Sequence, residues 1–217
     1  MSEWPGYFIS LEGIDGAGKS TLAAALAGEL SRHGYDVVTL RPSDTELGEL
    51  VRGYLLEHHQ VPVDSWTEAL LFNAGRVQLL RERILPALKT GAVVIADRYA
   101  DSTLAYQGGG RGLPLSGLHW LHREACRGVW PDLTFLLHLP RSVAEERQRS
   151  QQLPLDRFEA DANGFHEAVR SAFEELAAAH PERIVTVDAG RSPTAVFAEI
   201  CEVALRHLAG RRTPSRP

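Results

Sequence analysis

The chain has 217 residues and a formal net charge of −5, with 44% apolar and 24% charged residues. This is the composition of a soluble globular chain of one ordinary or one large domain, long enough to bury a sizeable core. The charge argues against a general nucleic-acid or membrane surface, and no apolar run reaches the roughly eighteen residues of a bilayer span. The two cysteines, Cys126 and Cys201, form neither a disulfide framework nor a zinc motif. Free thiols, and an N-terminus Met1–Gly6 without a basic region, fit a cytoplasmic chain.

In chain order, Tyr7–Leu11 is a short, unbroken apolar run, the pattern of a strand buried on both faces. A glycine-rich loop follows, then a helix over 19–33 and a second strand, Val37–Leu40. Apolar spacings of three and four predict a helix over 64–88, with Leu70, Ala74, Val77, Ile84 and Leu88 along one stripe. A third strand, Ala92–Ala96, leads into a polar, glycine-rich loop over 101–112. A helix over 115–128, the strand Leu133–Leu139, helices over 142–152 and 162–180, and the strand Ile184–Val187 come next. Ser192-Pro193 reads as the cap and first residue of a last helix over 193–208. Strand–helix alternation of this kind predicts an α/β fold: a parallel five-stranded sheet flanked by helices. Ligands of such sheets bind at the carboxyl ends of the strands.

Gly13-Ile14-Asp15-Gly16-Ala17-Gly18-Lys19-Ser20 matches the phosphate-loop pattern Gly-x-x-x-x-Gly-Lys-Ser, between a strand and a helix. Its glycines let main-chain N–H groups turn inward to phosphate oxygens, and the helix start at Lys19-Ser20-Thr21 adds positive potential. Lys19 is placed for the β- and γ-phosphates and the Ser20 hydroxyl for Mg²⁺. The 23 basic residues include only two lysines, Lys19 and Lys89, so a Lys in this loop has a chemical reason. Neither Asn73 nor Asn163 is followed by Lys, so there is no NKxD-type guanine reader. A chain of this length with a short lid suits a kinase acting on a small acceptor.

The third strand ends at Asp97-Arg98. Asp97 is placed to hold Mg²⁺ and Arg98 to fork an acceptor phosphate; the pair also fits a charged strand end. Phe72 and Arg76 share a helix face, which suits stacking a base and bonding its edge. That spacing fits a core Phe beside a solvent Arg as well. The Arg-bearing segment with Arg147, Arg149 and Arg157 reads either as a lid over a phosphoryl-transfer site or as a solvated charged helix.

Over nearly its whole length the chain resembles bacterial thymidylate kinases. The resemblance rests on Leu11-Glu12-Gly13-Ile14-Asp15-Gly16-Ala17-Gly18-Lys19-Ser20-Thr21, Leu71-Phe72-Asn73-Ala74-Gly75-Arg76-Val77-Gln78, Asp97-Arg98-Tyr99-Ala100-Asp101-Ser102-Thr103-Leu104-Ala105-Tyr106-Gln107-Gly108 and Asp156-Arg157-Phe158-Glu159. It implies a P-loop kinase domain over 1–210, a lid over about 142–159 and a disordered tail at 211–217. It also implies transfer of the ATP γ-phosphoryl group to dTMP with Mg²⁺, in a homodimer. By resemblance, Phe72 stacks on thymine, Arg76 bonds its O4, and Arg98 holds the dTMP phosphate. Tyr106 packs by the deoxyribose, and Ser102, Thr103 and Gln107 line the pocket. Asp15 sits among the phosphates. Arg147, Arg149 and Arg157 are the lid cations, Arg157 also facing dTMP, and Arg191 borders the adenine. The loop Leu40-Arg41-Pro42-Ser43-Asp44-Thr45 departs from the Arg-Glu-Pro-Gly-Gly-Thr of many relatives. Two alternatives remain at this stage: a kinase for another nucleoside monophosphate, and an ATP-binding module without catalysis.

Overall fold

The computed structural model describes residues 4–57, 61–150 and 164–211, with the backbone alone at 141, 145, 148–150 and 211. Five strands form one sheet, β1 (Tyr7–Glu12), β2 (Val37–Leu40), β3 (Val93–Asp97), β4 (Leu133–His138) and β5 (Ile184–Asp188). They pair in the order β2-β3-β1-β4-β5, every pair parallel. Each expected strand is present, within one or two residues at its ends.

The sheet is covered on both faces, which is why its strands read as unbroken apolar runs. Phe8, Val94 and Ala96 enter a core with Leu79, Leu80, Ile84 and Leu88. Their neighbours Ile9, Leu11, Val93 and Ile95 enter the other, with Leu22, Leu26 and Leu30 of α1 (Lys19–Arg32). β1 lies centrally, between β3 and β4, so its carboxyl end opens at the point where chain connections diverge.

Three stretches differ from the sequence expectation. A helix, α2 (Glu46–Leu56), fills the connection between β2 and α3 (Ser65–Leu79), capped by Thr45. It crosses α3 where Gly48 and Gly75 meet; a Cβ on Gly75 would lie 3.5 Å from Gly48 Cα. The glycine-rich stretch after β3 is not a loop. It forms α5 (Ala100–Thr103) and a π-helical continuation, Leu104–Gly110. Glycine is a poor helix former in isolation, but here contact requires it: a Cβ on Gly109 would meet Ala172 at 2.5 Å, and one on Gly110 would meet Phe165 at 2.3 Å. Both partners belong to α8 (Phe165–Ala179).

The stripe expected along residues 64–88 also breaks. A π turn, Leu80–Ile84, separates α3 from α4 (Leu85–Lys89). The extra residue per turn shifts the helical phase, so Leu70 and Ala74 point outward while Ile84 and Leu88 are buried. The buried side of α3 is instead Glu68, Ala69, Asn73, Gly75 and Leu79. The remaining helices are α6 (Leu115–Ala125), α7 (Arg141–Ser150) and α9 (Pro193–Arg211). Ser192 caps α9 as expected, accepting the Ala195 N–H at 3.3 Å. Residues 151–163, which include half of the expected lid, and residues 212–217 of the expected tail lie outside the described residues. No helix of the described residues is long and apolar enough to cross a membrane.

Candidate active site

The phosphate loop joins β1 to α1 with three glycines at positive φ: Gly13 at 131°, Gly16 at 80° and Gly18 at 90°. L side chains rarely adopt that region. Gly16 is also held by contact, since a Cβ there would lie 2.7 Å from the Ala144 carbonyl of α7. Gly18 occupies the cap position of α1, so no side chain takes up the first N–H groups of that helix. Those donors face the loop, which is the arrangement that binds anions.

Lys19 is buried and folds back over the loop, donating to the Gly13 carbonyl at 3.2 Å and the Ile14 carbonyl at 2.9 Å. Burial, and then Arg98, push its ammonium down to about 8 against the pull of Asp15. Ser20 Oγ donates to Asp97 Oδ2 at 2.5 Å, bringing together the two residues expected to hold the metal. Ile14 and Ala17 are buried beneath the loop, and Thr21 faces outward from the first turn of α1.

Arg98 leaves the end of β3 with φ 74°, a left-handed conformation that is strained for a side chain of this size. Its guanidinium donates to Gly13 O at 2.9 Å, Ser102 Oγ at 3.1 Å, Asp15 Oδ1 at 2.7 Å and Tyr106 Oη at 3.1 Å. Tyr106 Oη donates in turn to Asp15 Oδ2 at 3.3 Å. Burial alone would raise the Asp15 carboxyl, but Arg98 and Lys19 outweigh it and hold it well below the usual range.

A cleft of about 880 Å³, counting its mouth, runs from Asp15 and Arg98 to Phe72, Arg76 and Gln107. It brings Phe72, Arg76, Arg98, Ser102, Thr103, Tyr106 and Gln107 together on one lining. Arg76 is no solvent-facing residue: it donates to Asn73 Oδ1 at 2.9 Å, Tyr99 O at 3.2 Å and Thr103 Oγ1 at 2.6 Å. Gln107 donates to Glu68 at 2.8 Å, and Glu68 also receives Arg111 at 3.3 Å. The cleft sets Phe72 and other apolar side chains beside the Arg76 guanidinium, with cations at the phosphate-loop end.

The family model described as Thymidylate kinase matches residues 11–200. The chain belongs to the thymidylate kinase family. The thymidylate kinase of Thermomicrobium roseum is 44% identical over 213 residues, covering 96% of this chain and 99% of the relative. That of Cereibacter sphaeroides is 44% identical over 209 residues (94% and 96%), and that of Chromobacterium violaceum 45% over 197 residues (90% and 92%).

In this thymidylate kinase family member the remaining candidates among the described residues stand apart from the cleft lining. Arg147 of α7 donates to the Ala189 carbonyl at 3.0 Å, so it sits against the loop after β5. Arg191, in that same loop, donates to Asp188 O at 3.2 Å and pairs with Glu199. The Arg149 side chain and the whole of Arg157 lie outside the described residues. In the divergent loop after β2, Arg41 is exposed and turned onto Asp44 at 3.2 Å, while Pro42 lines the cleft. The cation that reaches the cleft from this side is Arg52 of α2, which also helps to hold Asp15 ionised.

Arg52, Glu12, Asn73 and Glu68 are absent from the residues singled out by pattern. Arg52 lies on α2, a helix absent from the sequence expectation. Glu12 and Glu68 are buried against partners far away in sequence, while Asn73 bonds Ala69 and Arg76 on its own helix. Asn73 and Glu12 stand within segments that carry the family resemblance, with no role assigned to them there.

Proposed function

We propose that this chain transfers the γ-phosphoryl group of ATP to dTMP, giving dTDP and ADP. One observation carries this reading: a single cleft joins a phosphate loop to a pocket bearing Phe72 and Arg76, with Arg98 at the junction. ATP lies along the loop and the α1 N-terminus, and dTMP lies in the cleft with its base between Phe72 and the Arg76–Thr103–Gln107 edge. The acceptor phosphate faces Arg98 and Arg52. A non-bridging oxygen of dTMP attacks the γ-phosphorus, the bond to the β-phosphate oxygen breaks, and ADP leaves with that electron pair. The attacking oxygen is largely ionised at neutral pH, its second pKa being about 6, so no general base is required. The protein brings two polyanions together and screens their repulsion with Lys19, Arg98 and Arg52. Asp15 orients Arg98 and faces the acceptor sugar and phosphate.

Mg²⁺ fits this site. The Ser20 hydroxyl and the Asp97 carboxylate meet at the loop and form an all-oxygen donor pair of the kind a hard cation prefers. When bound, the ion would neutralise charge on the β- and γ-phosphates. Arg147 and Arg191 border the adenine side, and Arg149 and Arg157 are the further lid cations.

We also propose a homodimer. Among the described residues, the exposed large apolar side chains, including Leu50, Tyr54, Leu70 and Trp120, all fall on α2, α3, α6 or the α2–α3 connection. A concentrated apolar face of this kind is what a second copy covers. The free thiols of Cys126 and Cys201 support a reducing, cytoplasmic location.

Turnover measured side by side on dTMP, dUMP, dGMP and AMP with Mg-ATP tests the reading. dTMP is expected to lead, with dUMP second, since a missing methyl is worth only about 1–3 kcal/mol of discrimination. Preference for a purine nucleotide would redirect the acceptor assignment. Tight ATP binding without any product would favour the non-catalytic alternative, which the complete phosphate loop and the relatives do not favour.

A further inference from the structure

Glu12 is a buried carboxylate beside the phosphate loop to which phosphoryl transfer assigns no task. Its side chain is 0% exposed, and a charge is costly to bury unless it is well bonded. Both of its oxygens face the Arg98 turn. Oε1 accepts the Tyr99 N–H at 2.7 Å, and Oε2 accepts the Ser102 hydroxyl at 2.5 Å. Ser102 Oγ in turn accepts Arg98 Nη1 at 3.1 Å. The Arg98 N–H goes to Leu11 O at 3.0 Å. Two successive residues of β1 therefore hold the turn, Leu11 by its main chain and Glu12 by its side chain. The turn needs holding because Arg98 sits at φ 74°, which only surrounding structure can maintain.

The geometry points to Glu12 as the positioning residue for Arg98: its carboxylate takes the Tyr99 amide and the Ser102 hydroxyl, and so aims the guanidinium at Gly13, Asp15 and the acceptor phosphate. The chemistry explains why a carboxylate stands here. With the Ser102 proton committed to Glu12, Ser102 presents only lone pairs to Arg98. An amide of the same shape has one acceptor oxygen for two donors. With that oxygen toward Tyr99, its NH₂ competes with Arg98 for Ser102, and the Ser102 proton loses its acceptor. With the oxygen toward Ser102, the NH₂ meets the Tyr99 N–H donor to donor. Burial, and next Asp101, push the Glu12 carboxyl up to about 7.

The inference rests on the assignment of Arg98 to the acceptor phosphate, and Glu12→Gln tests it with two readouts. Steady-state kinetics are measured for wild type, Glu12→Gln, Arg98→Ala and the double variant. The KM for dTMP is expected to rise by roughly tenfold or more, the effect of leaving one buried donor unpaired. The KM for ATP should stay within about a factor of two, and the Gln change should add nothing in the Arg98→Ala background, since the two residues act as one. An equal rise in both KM values, or full additivity, overturns the inference. The second readout needs no substrate: the Arg98 guanidinium ¹⁵N signal of the ligand-free protein, assigned with Arg98→Lys. It is expected to shift or broaden in Glu12→Gln; an unchanged signal overturns the inference whatever the acceptor proves to be. Failure of the wild type to make dTDP would instead sink the proposed function alone. If the Gln variant does not fold, Glu12→Asp keeps both acceptors but draws them back by one methylene. A weaker rise in the same single KM with a moved Arg98 signal supports the inference, and no change in either overturns it.

Discussion

Lys19→Met is expected to remove activity while making the ligand-free protein more stable. Lys19 is 6% exposed, and its pKa falls from 10.5 to about 8, with burial as the largest cause and Arg98 next. At about 1.4 kcal/mol per pH unit, that drop corresponds to about 3 kcal/mol of unfavourable burial of the charge. Part of this gain is lost when the contacts of Lys19 go. The Gly13 carbonyl keeps its bond from Arg98 at 2.9 Å, and Asp15 keeps Arg98 at 2.7 Å, but the Ile14 carbonyl loses its 2.9 Å donor. One lost hydrogen bond costs about 1–2 kcal/mol, leaving a net stabilisation of about 1 kcal/mol. The sign with pH follows from linkage. Between pH 8 and 10.5 the unfolded chain holds the Lys19 proton and the folded chain does not, so wild-type stability from this group rises with pH. The advantage of Lys19→Met is therefore present at pH 7 and shrinks as pH climbs above 8. Urea unfolding at pH 7 and pH 9.5 reads it directly, and turnover of dTMP should fall by at least about 100-fold. A variant less stable than wild type at both pH values by the same margin would refute the reasoning that this ammonium is held in place against its own desolvation.

The other predictions concern neighbouring parts of the fold. Phe72→Ala should raise the KM for dTMP by roughly tenfold to a hundredfold, the range of a lost base stack, and leave the KM for ATP unchanged; equal effects on both would place the base elsewhere. Asp101 is 1% exposed and takes Arg183 through two bonds of 2.8 Å. Asp101→Ala should therefore cost about 3 kcal/mol in urea unfolding by removing the carboxylate from a mostly buried guanidinium, and a loss under about 1 kcal/mol would show that the pair is dispensable. Leu70 and Trp120 are 53% and 56% exposed; wild type is expected to sediment as the proposed dimer and the Leu70→Glu/Trp120→Glu double variant as a monomer. A variant that stays dimeric would move the interface off this face.

The chain order of five strands and the phosphate loop were legible in the residues themselves. Each depends on a local rule: an unbroken apolar run makes a strand buried on both faces, and glycines at fixed spacing supply the positive φ of the loop. Phe72, Arg76, Tyr106 and Gln107 were legible as candidates, but not as neighbours on one cleft. Three features came only with the tertiary structure. The glycine triplet 108–110 lies in helix, where Leu115 of α6 leaves no room for a side chain at Gly108 and α8 leaves none at Gly109 and Gly110. The stripe on α3 failed because a π turn changes phase at Leu80–Ile84 and because the cleft draws polar residues to the inner side. Glu12 and Arg52 entered the site because β1 brings the first beside the Arg98 turn and α2 carries the second to the cleft. A sequence pattern reports what a residue does to its own backbone and to its helical or strand neighbours. Whether a charge is buried, and what it then holds, depends on partners tens of residues away, and only the packed sheet and helices supply those.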